Sequence, residues 1–366
     1  MATIQMIDRT HGSRRQTDVA TMDRDGFGKR WINTRRNGGG DLAVFDGFPP
    51  DSGSVAAQWV FGGCSFQGAA RERMAGADWP MLWLQGDLCS GSHVSGAQAL
   101  VLDGAYARPI VLDGRVIGTS WSDADADYCL LAGVLPADIA AGRGAQTRNC
   151  FERIEEALDQ ADMDFSHVAR TWLYLERLLD WYGEFNAERT AFFRERGVFE
   201  RMIPASTGIG AANPAGAALA CGALAIRPRH HGVRVQEVES PLQRPATEYR
   251  SSFSRAVEAS FPDRRVLLIS GTASIAPDGK SLFAGDAVRQ IDRTLDVVEA
   301  ILRSRRMEWR DTTRAIGYFC DMQDLAVFDA CCRARGIPPL PMTPAHASVC
   351  RDDLLFEIEL DAVVSW

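Results

Sequence analysis

The C-terminal segment SVCRDDLLFEIEL, residues 348–360, places a thiol and a carboxylate in an apolar, β-type pattern. Glu357 lies between two apolar residues, and Cys350 precedes it by seven positions. Burial disfavours the charged form of a carboxyl group and so raises its pKa. Such a group is protonated near neutral pH and can act as a general acid. The alternative is that Glu357 and Glu359 form the solvent-facing side of an edge strand, which the same alternation predicts.

Cys350 is the second candidate catalytic residue of this segment. No histidine is placed by the sequence to activate it as a nucleophile, so we expect it to pack against or steer a substrate. Successive side chains of a strand point to opposite faces, so we expect Arg351 to point away from the site. The histidines and the remaining cysteines lack zinc-ligand spacing. The sequence therefore predicts neither a metal nor an organic cofactor.

Length, charge and composition bound the class of protein. A chain of 366 residues suggests two or three domains. The net charge of −8 argues against a nucleic-acid partner, and no apolar run is long enough to span a bilayer. The N-terminus has no apolar region of the kind found in secretion signals, and the nine cysteines are scattered. We expect a cytoplasmic protein that acts on a small molecule.

Two parts of the chain share one pattern. When Arg170 is aligned with Arg314, Tyr174 falls on Tyr318. In both copies a β-type run is followed by a helical pattern that ends at a glycine. A segment with prolines comes next, and each copy then ends in a last strand. Each copy is predicted as β-β-α-β-α-β over roughly 120 residues, an ordinary domain size.

These copies define the predicted domains. The middle domain spans residues 105–232 and the C-terminal domain spans 233–366. Residues 1–104 are strand-rich after a polar, arginine-dotted tail, and we interpret them as a degenerate third copy. In the C-terminal copy, five apolar residues recur at helical spacing after a capping Asp286. They are Val288, Ile291, Leu295, Val298 and Leu302.

Several short motifs follow one another between about Arg108 and the C-terminus. They are RTWLYL (170–175), YGEFNAER (182–189), ASTGIG (205–210), SPLQRPATEY with SSFSRA (240–256), SGTASI (270–275) and CRDDLLFEIE (350–359). Together they resemble the chorismatase family over roughly 70% of the chain. The repeats resemble the YjgF/Rid fold, whose homotrimers bind ligands between subunits. This resemblance implies an α+β fold in which tandem Rid-like repeats form a pseudo-trimer within one chain.

The resemblance also implies an activity, the cleavage of the enolpyruvyl ether of chorismate with release of pyruvate. Glu357 is then the general acid, and a cysteine at position 350 resembles the branch that makes 3-hydroxybenzoate. One alternative is the hydrolytic branch, which gives a trans-dihydroxycyclohexadiene carboxylate. Another is a non-catalytic Rid-like protein that binds a small carboxylate. The imine hydrolysis of ordinary Rid enzymes is disfavoured, because Ser206 and Met342 stand where those enzymes have arginine.

Chorismate carries two carboxylates, and the planar guanidinium of arginine suits them better than lysine does. We nominate Arg170, Arg255 and Arg314 for this role, with the hydroxyl groups of Tyr249 and Tyr318 as further donors. The alternative for each arginine is a surface charge or a stem packed over apolar neighbours. Arg255 rests on the resemblance alone.

The ASTGIG motif offers two further candidates, Thr207 and Gly208, whose backbone N–H groups could bind an anion. The alternative is an ordinary tight turn. One position departs from the family pattern, since Arg250 stands where a glycine is expected, and it could add a carboxylate contact or block the pocket. A fused repeat supplies its own clefts between copies, so we expect a monomer.

Overall fold

The computed structural model of the protein describes residues 3–11, 15–24, 27–37, 40–104, 106–249 and 251–366. Arg250 and the side chain of Tyr249 lie outside the described residues. The expectations for these two side chains therefore stay predictions.

The described residues form eighteen strands and five α-helices. The strands are β1 (Thr3–His11), β2 (Arg15–Arg24), β3 (Phe27–Arg36), β4 (Ser54–Gly62), β5 (Met81–Gly86), β6 (Val94–Asp103), β7 (Arg108–Leu112), β8 (Arg115–Ser122), β9 (Ala126–Val134), β10 (Val168–Leu175), β11 (Ala205–Ala212), β12 (Leu219–Pro228), β13 (Arg234–Val238), β14 (Ala256–Ser260), β15 (Arg264–Ala273), β16 (Thr312–Phe319), β17 (Met342–His346) and β18 (Phe356–Ser365). The helices are α1 (Gln67–Arg73), α2 (Arg143–Asp159), α3 (Leu178–Glu195), α4 (Ala287–Ser304) and α5 (Asp324–Ala334).

One strand order occurs three times, which defines a first repeat (β1–β6), a second repeat (β7–β12) and a third repeat (β13–β18). The orders are β1-β2-β3-β6-β4-β5, β7-β8-β9-β12-β10-β11 and β13-β14-β15-β18-β16-β17. The first two repeats join through β5 and β11 into one twelve-stranded sheet. The predicted α+β class with tandem repeats is confirmed, although each repeat has six strands rather than the predicted four. The domain boundaries in the chain stay predictions.

The first repeat differs from the others in its helices. The second repeat carries α2 and α3 and the third carries α4 and α5. Within the described residues, the first repeat has the short α1 and two 3-10 turns, at Asp41–Phe45 and Cys64–Phe66. The segment expected to be a polar tail contributes the three strands β1–β3. The first repeat is therefore mainly sheet.

Apolar side chains form one inner core, three outer cores and a small cluster of Ala273, Ile275, Val349 and Leu354 against which Cys350 packs. In the inner core, residues from the sheets of all three repeats pack together, among them Trp59, Trp172 and Ile316. Each outer core lies between one sheet and the helices of its own repeat. In α4 the predicted face is buried at four positions, but Val288 is 53% exposed, and Asp286 caps the helix by accepting the Arg289 N–H at 3.0 Å. Burial of apolar surface on both faces of the sheets holds the repeats together.

Equivalent positions of the repeats meet inside the inner core. Tyr174 on β10 and Tyr318 on β16 share a hydrogen bond of 2.9 Å, and the ring of Phe61 on β4 contacts both. On the neighbouring strands, the register partners of Phe61, Tyr174 and Tyr318 are Gly96, Ala220 and Glu357, respectively. Among these three equivalent positions, only the third repeat has a carboxylate.

Candidate active site

A cavity of about 1080 Å³ lies between the second and third repeats. The second repeat contributes one face of α3 and the start of β11, and the third repeat contributes β15, β18 and the two loops beside them. The lining residues used below are Tyr182, Asn186, Arg189, Thr190, Arg194, Glu200, Gly208, Arg255, Gly271, Cys350, Arg351 and Glu357. The predicted site residues Glu357, Cys350, Arg255 and Gly208 are thus brought together.

Glu357 is the second residue of β18 and is only 5% exposed. Its carboxyl group lies directly over Gly271 on β15, where a Cβ atom would come within 2.0 Å of Glu357 Oε1. Burial and the negative charge of Glu359 raise the pKa of Glu357 to about 8, although Arg255 opposes the shift. The side chain is therefore a protonated acid at neutral pH, on the wall of a cavity that a ligand can enter.

Cys350 lies in a loop rather than in the last strand. Residues 347–355 connect β17 to β18 through a turn, so the predicted run from 348 to 360 is not one strand. Burial, and then Glu357, raise the pKa of the Cys350 thiol to about 12, which keeps it neutral. Because this segment is a loop, successive side chains do not point to opposite faces as they do in a strand. Arg351 therefore lines the cavity as well, and its Nη1 donates to the Gly279 carbonyl at 2.7 Å. The expectation that Arg351 points away from the site was wrong.

Helix α3 forms the opposite wall, with Tyr182, Asn186, Arg189 and Thr190 on one face. Burial, and then the charges of Cys350 and Glu357, raise the pKa of Tyr182, while Arg189 opposes the shift. Arg189 is 2% exposed and its Nη2 donates to Asn186 Oδ1 at 2.6 Å. The sequence motif YGEFNAER contains Tyr182, Asn186 and Arg189, but no role was predicted for them. Their spacing on one helical face was the signal that could have found them.

Arg255 is 5% exposed and lines the same cavity. Its Nε and Nη2 donate to the Arg244 carbonyl at 3.0 and 2.9 Å, which fixes the direction of the guanidinium. Arg194 and Arg351 are further cavity arginines. Four arginines line the cavity against two glutamates, Glu200 and Glu357, and Glu357 is neutral below about pH 8. This excess of cationic side chains suits a ligand with several carboxylates.

Arg170 and Arg314 are not brought to the cavity. Both are fully buried and bind Glu359 and Asp361 on β18. Arg170 Nη2 lies 3.0 Å from Glu359 Oε2, Arg314 Nη1 lies 3.1 Å from Asp361 Oδ1, and Arg314 Nε donates to Gln98 of the first repeat at 2.7 Å. We call these two arginines, Glu359 and Asp361 the buried ion cluster. Its arginines already have carboxylate partners, so the placement argues against their predicted contact with substrate.

Thr207 and Gly208 lie in strand β11, which runs parallel to β10, and not in a turn. The predicted turn was therefore wrong. The Thr207 hydroxyl donates to Glu359 and accepts the Gly271 N–H at 3.1 Å, so it links the buried ion cluster to the strand beneath Glu357. Gly208 faces the cavity near Tyr182.

Glu359 is ionised although it is fully buried. Burial alone would raise its pKa, but Arg170 and Arg314, with hydrogen bonds from Thr207 and Trp172, lower it. The Trp172 Nε1 donates to Glu359 Oε1 at 2.8 Å. The second predicted tyrosine, Tyr318, uses its hydroxyl to bond Tyr174 inside the core and does not line the cavity.

Within the described ranges, no group of three or more His, Cys, Asp or Glu side chains could hold a metal ion. None of the helices in these ranges is long and apolar enough to cross a membrane.

Comparisons with known proteins point to one family. A family model described as chorismatase FkbO/Hyg5-like, N-terminal, matches residues 111–225. A protein of Streptomyces hygroscopicus named chorismatase is 26% identical over 277 residues, which cover 69% of this chain and 77% of that protein. The resemblance to the chorismatases is confirmed.

Two further relatives extend this finding. A 3-hydroxybenzoate synthase of the same organism is 26% identical over 263 residues, covering 64% of this chain and 74% of that protein. The crystal structure of a chorismatase superposes with a TM-score of 0.63 at 20% identity and covers 92% of this chain and 98% of its own. The chorismatase fold therefore extends over nearly the whole chain, including the first repeat.

Proposed function

We propose that this protein is a chorismatase, which cleaves the enolpyruvyl ether of chorismate and releases pyruvate. The observation that carries the proposal is a protonated Glu357 on the wall of an arginine-lined cavity. The similarity to proteins named chorismatase and 3-hydroxybenzoate synthase supports the choice of substrate.

In this proposal the cavity arginines bind the two carboxylates of chorismate. Arg255 and Arg351 lie on the third repeat beside Glu357, and Arg189 lies across the cavity on α3. Arginine can present two parallel N–H donors to each carboxylate, which fixes the substrate in one orientation. Arg170 and Arg314 then act indirectly, because they hold Glu359 ionised beneath the acid. Tyr249 stays a candidate donor.

Glu357 begins the reaction by donating its proton to the terminal methylene carbon of the enolpyruvyl group. The positive charge that forms beside the ether oxygen is an oxocarbenium centre. In one route the bond from the ring carbon to the ether oxygen then breaks, and its electron pair completes the carbonyl of pyruvate. The neighbouring ring hydroxyl oxygen bonds to the carbon that pyruvate leaves, and the ring aromatises by losing a C–H proton. The proton that the ring loses can return to the Glu357 carboxylate, so the acid is regenerated. Chorismic acid contains the atoms of one hydroxybenzoic acid and one pyruvic acid, and this route consumes no water.

We favour 3-hydroxybenzoate as the ring product. Cys350 supports this choice through the resemblance, since a cysteine at this position resembles the branch that makes 3-hydroxybenzoate. Its neutral thiol lines the cavity, where it can pack against the ring. The alternative is that water attacks the oxocarbenium centre and a trans-dihydroxycyclohexadiene carboxylate is released.

The test is incubation of the purified protein with chorismate, with pyruvate followed by a coupled assay and the ring product by chromatography. Glu357→Gln is measured beside Glu239→Gln, an exposed glutamate outside the cavity. We expect pyruvate and 3-hydroxybenzoate from the wild type and from Glu239→Gln, and their loss in Glu357→Gln. A dihydrodiol would keep the chorismatase activity and overturn the product. Binding of chorismate without pyruvate release would indicate a binding protein instead.

We further propose that the enzyme is a cytoplasmic monomer with no nucleic-acid partner. The cavity is formed by two repeats of the same chain, so a second copy is not needed to complete it. Light scattering on the purified protein would test this, and a dimer mass would overturn it.

A further inference from the structure

Asp87 of the first repeat contacts both of the other repeats. It follows β5 directly, and its N–H donates to the Gly210 carbonyl of β11 at 3.0 Å. This is the point where β5 and β11 pair and join the first two repeats into one sheet. Asp87 does not line the cavity.

The Asp87 carboxylate caps helix α3 of the second repeat with both of its oxygens. Its Oδ1 accepts the Arg177 N–H at 3.1 Å and its Oδ2 accepts the Leu178 N–H at 3.2 Å. The residue before the helix, Arg177, is in the left-handed region with φ of 52° and provides no side-chain cap of its own. The first N–H groups of a helix have no partner within the helix. Here the cap comes from a different repeat, one turn before the cavity residue Tyr182.

The same carboxylate also holds the loop that carries Cys350. Its Oδ2 accepts the Ser348 hydroxyl at 3.2 Å, and the Ser348 carbonyl accepts the Gly210 N–H at 3.0 Å. A Cβ atom at Gly210 would come within 1.9 Å of Ser348 Oγ and 2.5 Å of Asp87 Oδ2. Only a glycine at position 210 leaves room for this three-way contact.

We propose that Asp87 is a positioning residue for the cavity: it ties the start of α3 to the loop before Cys350 and so sets the distance between the two walls. One carboxylate thereby fixes Tyr182 on one wall and Cys350 on the other. The first repeat has a glycine at the position of Glu357, yet it serves the site through this contact. The expected effect of Asp87 on catalysis rests on the proposed function, whereas its expected effect on the structure of the two walls does not.

The first experiment needs no activity. Hydrogen exchange is measured on the full chain for the wild type, Asp87→Ala and Asp164→Ala. Asp164 is the matched control, because it also accepts backbone N–H and hydroxyl bonds from its neighbour Ser166, but within one repeat and away from the cavity. We expect faster exchange in Asp87→Ala at both 177–182 and 347–350, and no change there in Asp164→Ala. Faster exchange at 177–182 alone would reduce Asp87 to a local helix cap and overturn the proposal.

The second experiment measures turnover of chorismate in a double-mutant cycle. Ser348→Ala removes only the link to the loop, and Asp87→Ala removes both links. We expect kcat/KM to fall about tenfold to a hundredfold in Asp87→Ala, as small misplacements of reacting groups do. Ser348→Ala should cost less, and should cost nothing more once Asp87 is absent. Additive losses would overturn the proposal.

Two precautions keep the test decisive. If Asp87→Ala does not fold, Asp87→Asn takes its place, because the remaining oxygen of the amide can still accept one N–H. An exchange pattern like that of the wild type in Asp87→Asn would then count against the proposal. If the wild type does not turn over chorismate, the proposed function fails but the exchange experiment still decides whether Asp87 joins the two walls.

Discussion

Two regions of β18 differ sharply although they are adjacent, the cavity wall at Glu357 and the buried ion cluster at Glu359. The two side chains lie two residues apart on the same face of the strand, and both are almost fully buried. The pKa of Glu357 is raised to about 8, whereas the pKa of Glu359 is lowered. The contrast between them therefore does not come from the depth of burial.

The difference comes from partners. Glu359 receives ion pairs from Arg170 and Arg314 and hydrogen bonds from Trp172 and Thr207. Glu357 lies against a glycine and an open cavity, with the charge of Glu359 as a neighbour. In many active sites the environment shifts the pKa values of two carboxyl groups in opposite directions, so that one group is the acid and the other stays ionised. Here burial, and then the charge of the ionised Glu359, keep Glu357 protonated.

The largest effect is expected from Glu357→Gln. An amide keeps the shape of the carboxyl group but cannot deliver a proton, so kcat should fall by about 10² to 10⁴, the usual share of general acid catalysis. Chorismate binding, measured by calorimetry, should change little. A variant that keeps activity within tenfold of the wild type would break the contrast between the two glutamates.

The next effect is expected from Glu359→Gln. Loss of the negative charge removes one cause of the raised pKa at Glu357, so the acid ionises at lower pH. In the wild type, kcat/KM should fall as pH rises through about 8, and in Glu359→Gln this decline should begin at lower pH. Breaking the buried ion cluster should also destabilise the fold by about 3–5 kcal/mol, measurable by denaturant unfolding.

Trp172→Phe is the matched control for this variant, because it removes a hydrogen bond to Glu359 but keeps the charges of the cluster. Its pH profile should move less than that of Glu359→Gln. If the pH profiles of kcat/KM for the wild type and Glu359→Gln are the same, Glu359 does not influence the acid.

A smaller effect is expected from Gly271→Ala. The new methyl group would lie 2.0 Å from Glu357 Oε1, so the carboxyl group must move. Displacement of the acid should lower kcat by about tenfold to a hundredfold, with little change in melting temperature. Gly142→Ala is the control, since nothing lies within 4 Å of its new methyl group. Wild-type kcat in Gly271→Ala would mean that the position of the carboxyl group is not critical.

The smallest effect on rate is expected from Cys350→Ala. With a thiol pKa of about 12, Cys350 is neutral at working pH, so its loss should leave pyruvate release within about tenfold of the wild type. The ring product, followed by chromatography, should shift because the cavity wall changes shape. Complete loss of pyruvate release would instead indicate that the thiol reacts.

The sequence predicted the acid better than it predicted the ligands for the substrate. Apolar neighbours on both sides of Glu357 suggested burial and a raised pKa, but the same alternation also predicted a solvent-facing edge strand. The accompanying family motifs favoured the acid. Arg170 and Arg314 were nominated because they occupy equivalent positions in two repeats, but such equivalence also arises in a shared core. Their partners on β18 are distant in sequence, so only the fold could reveal that the arginines were already paired.

The loop before β18 and the motif at 205–210 were also beyond prediction from local pattern. Gly208 and Gly210 favoured a turn, whereas pairing with β10 makes the segment a strand. Cys350 and Arg351 looked like successive strand residues, yet a turn brings both to the cavity. In each case a tertiary contact decided the local structure.

The three equivalent positions Gly96, Ala220 and Glu357 carry a consequence for how such a chain can change. In a trimer of identical subunits, every substitution at an interface is made three times, and a residue that serves one site must be tolerated in the other two. A single chain with three repeats has no such constraint. Each junction can lose or gain a side chain separately, so the positions equivalent to Glu357 at the other two junctions are free to change for stability alone.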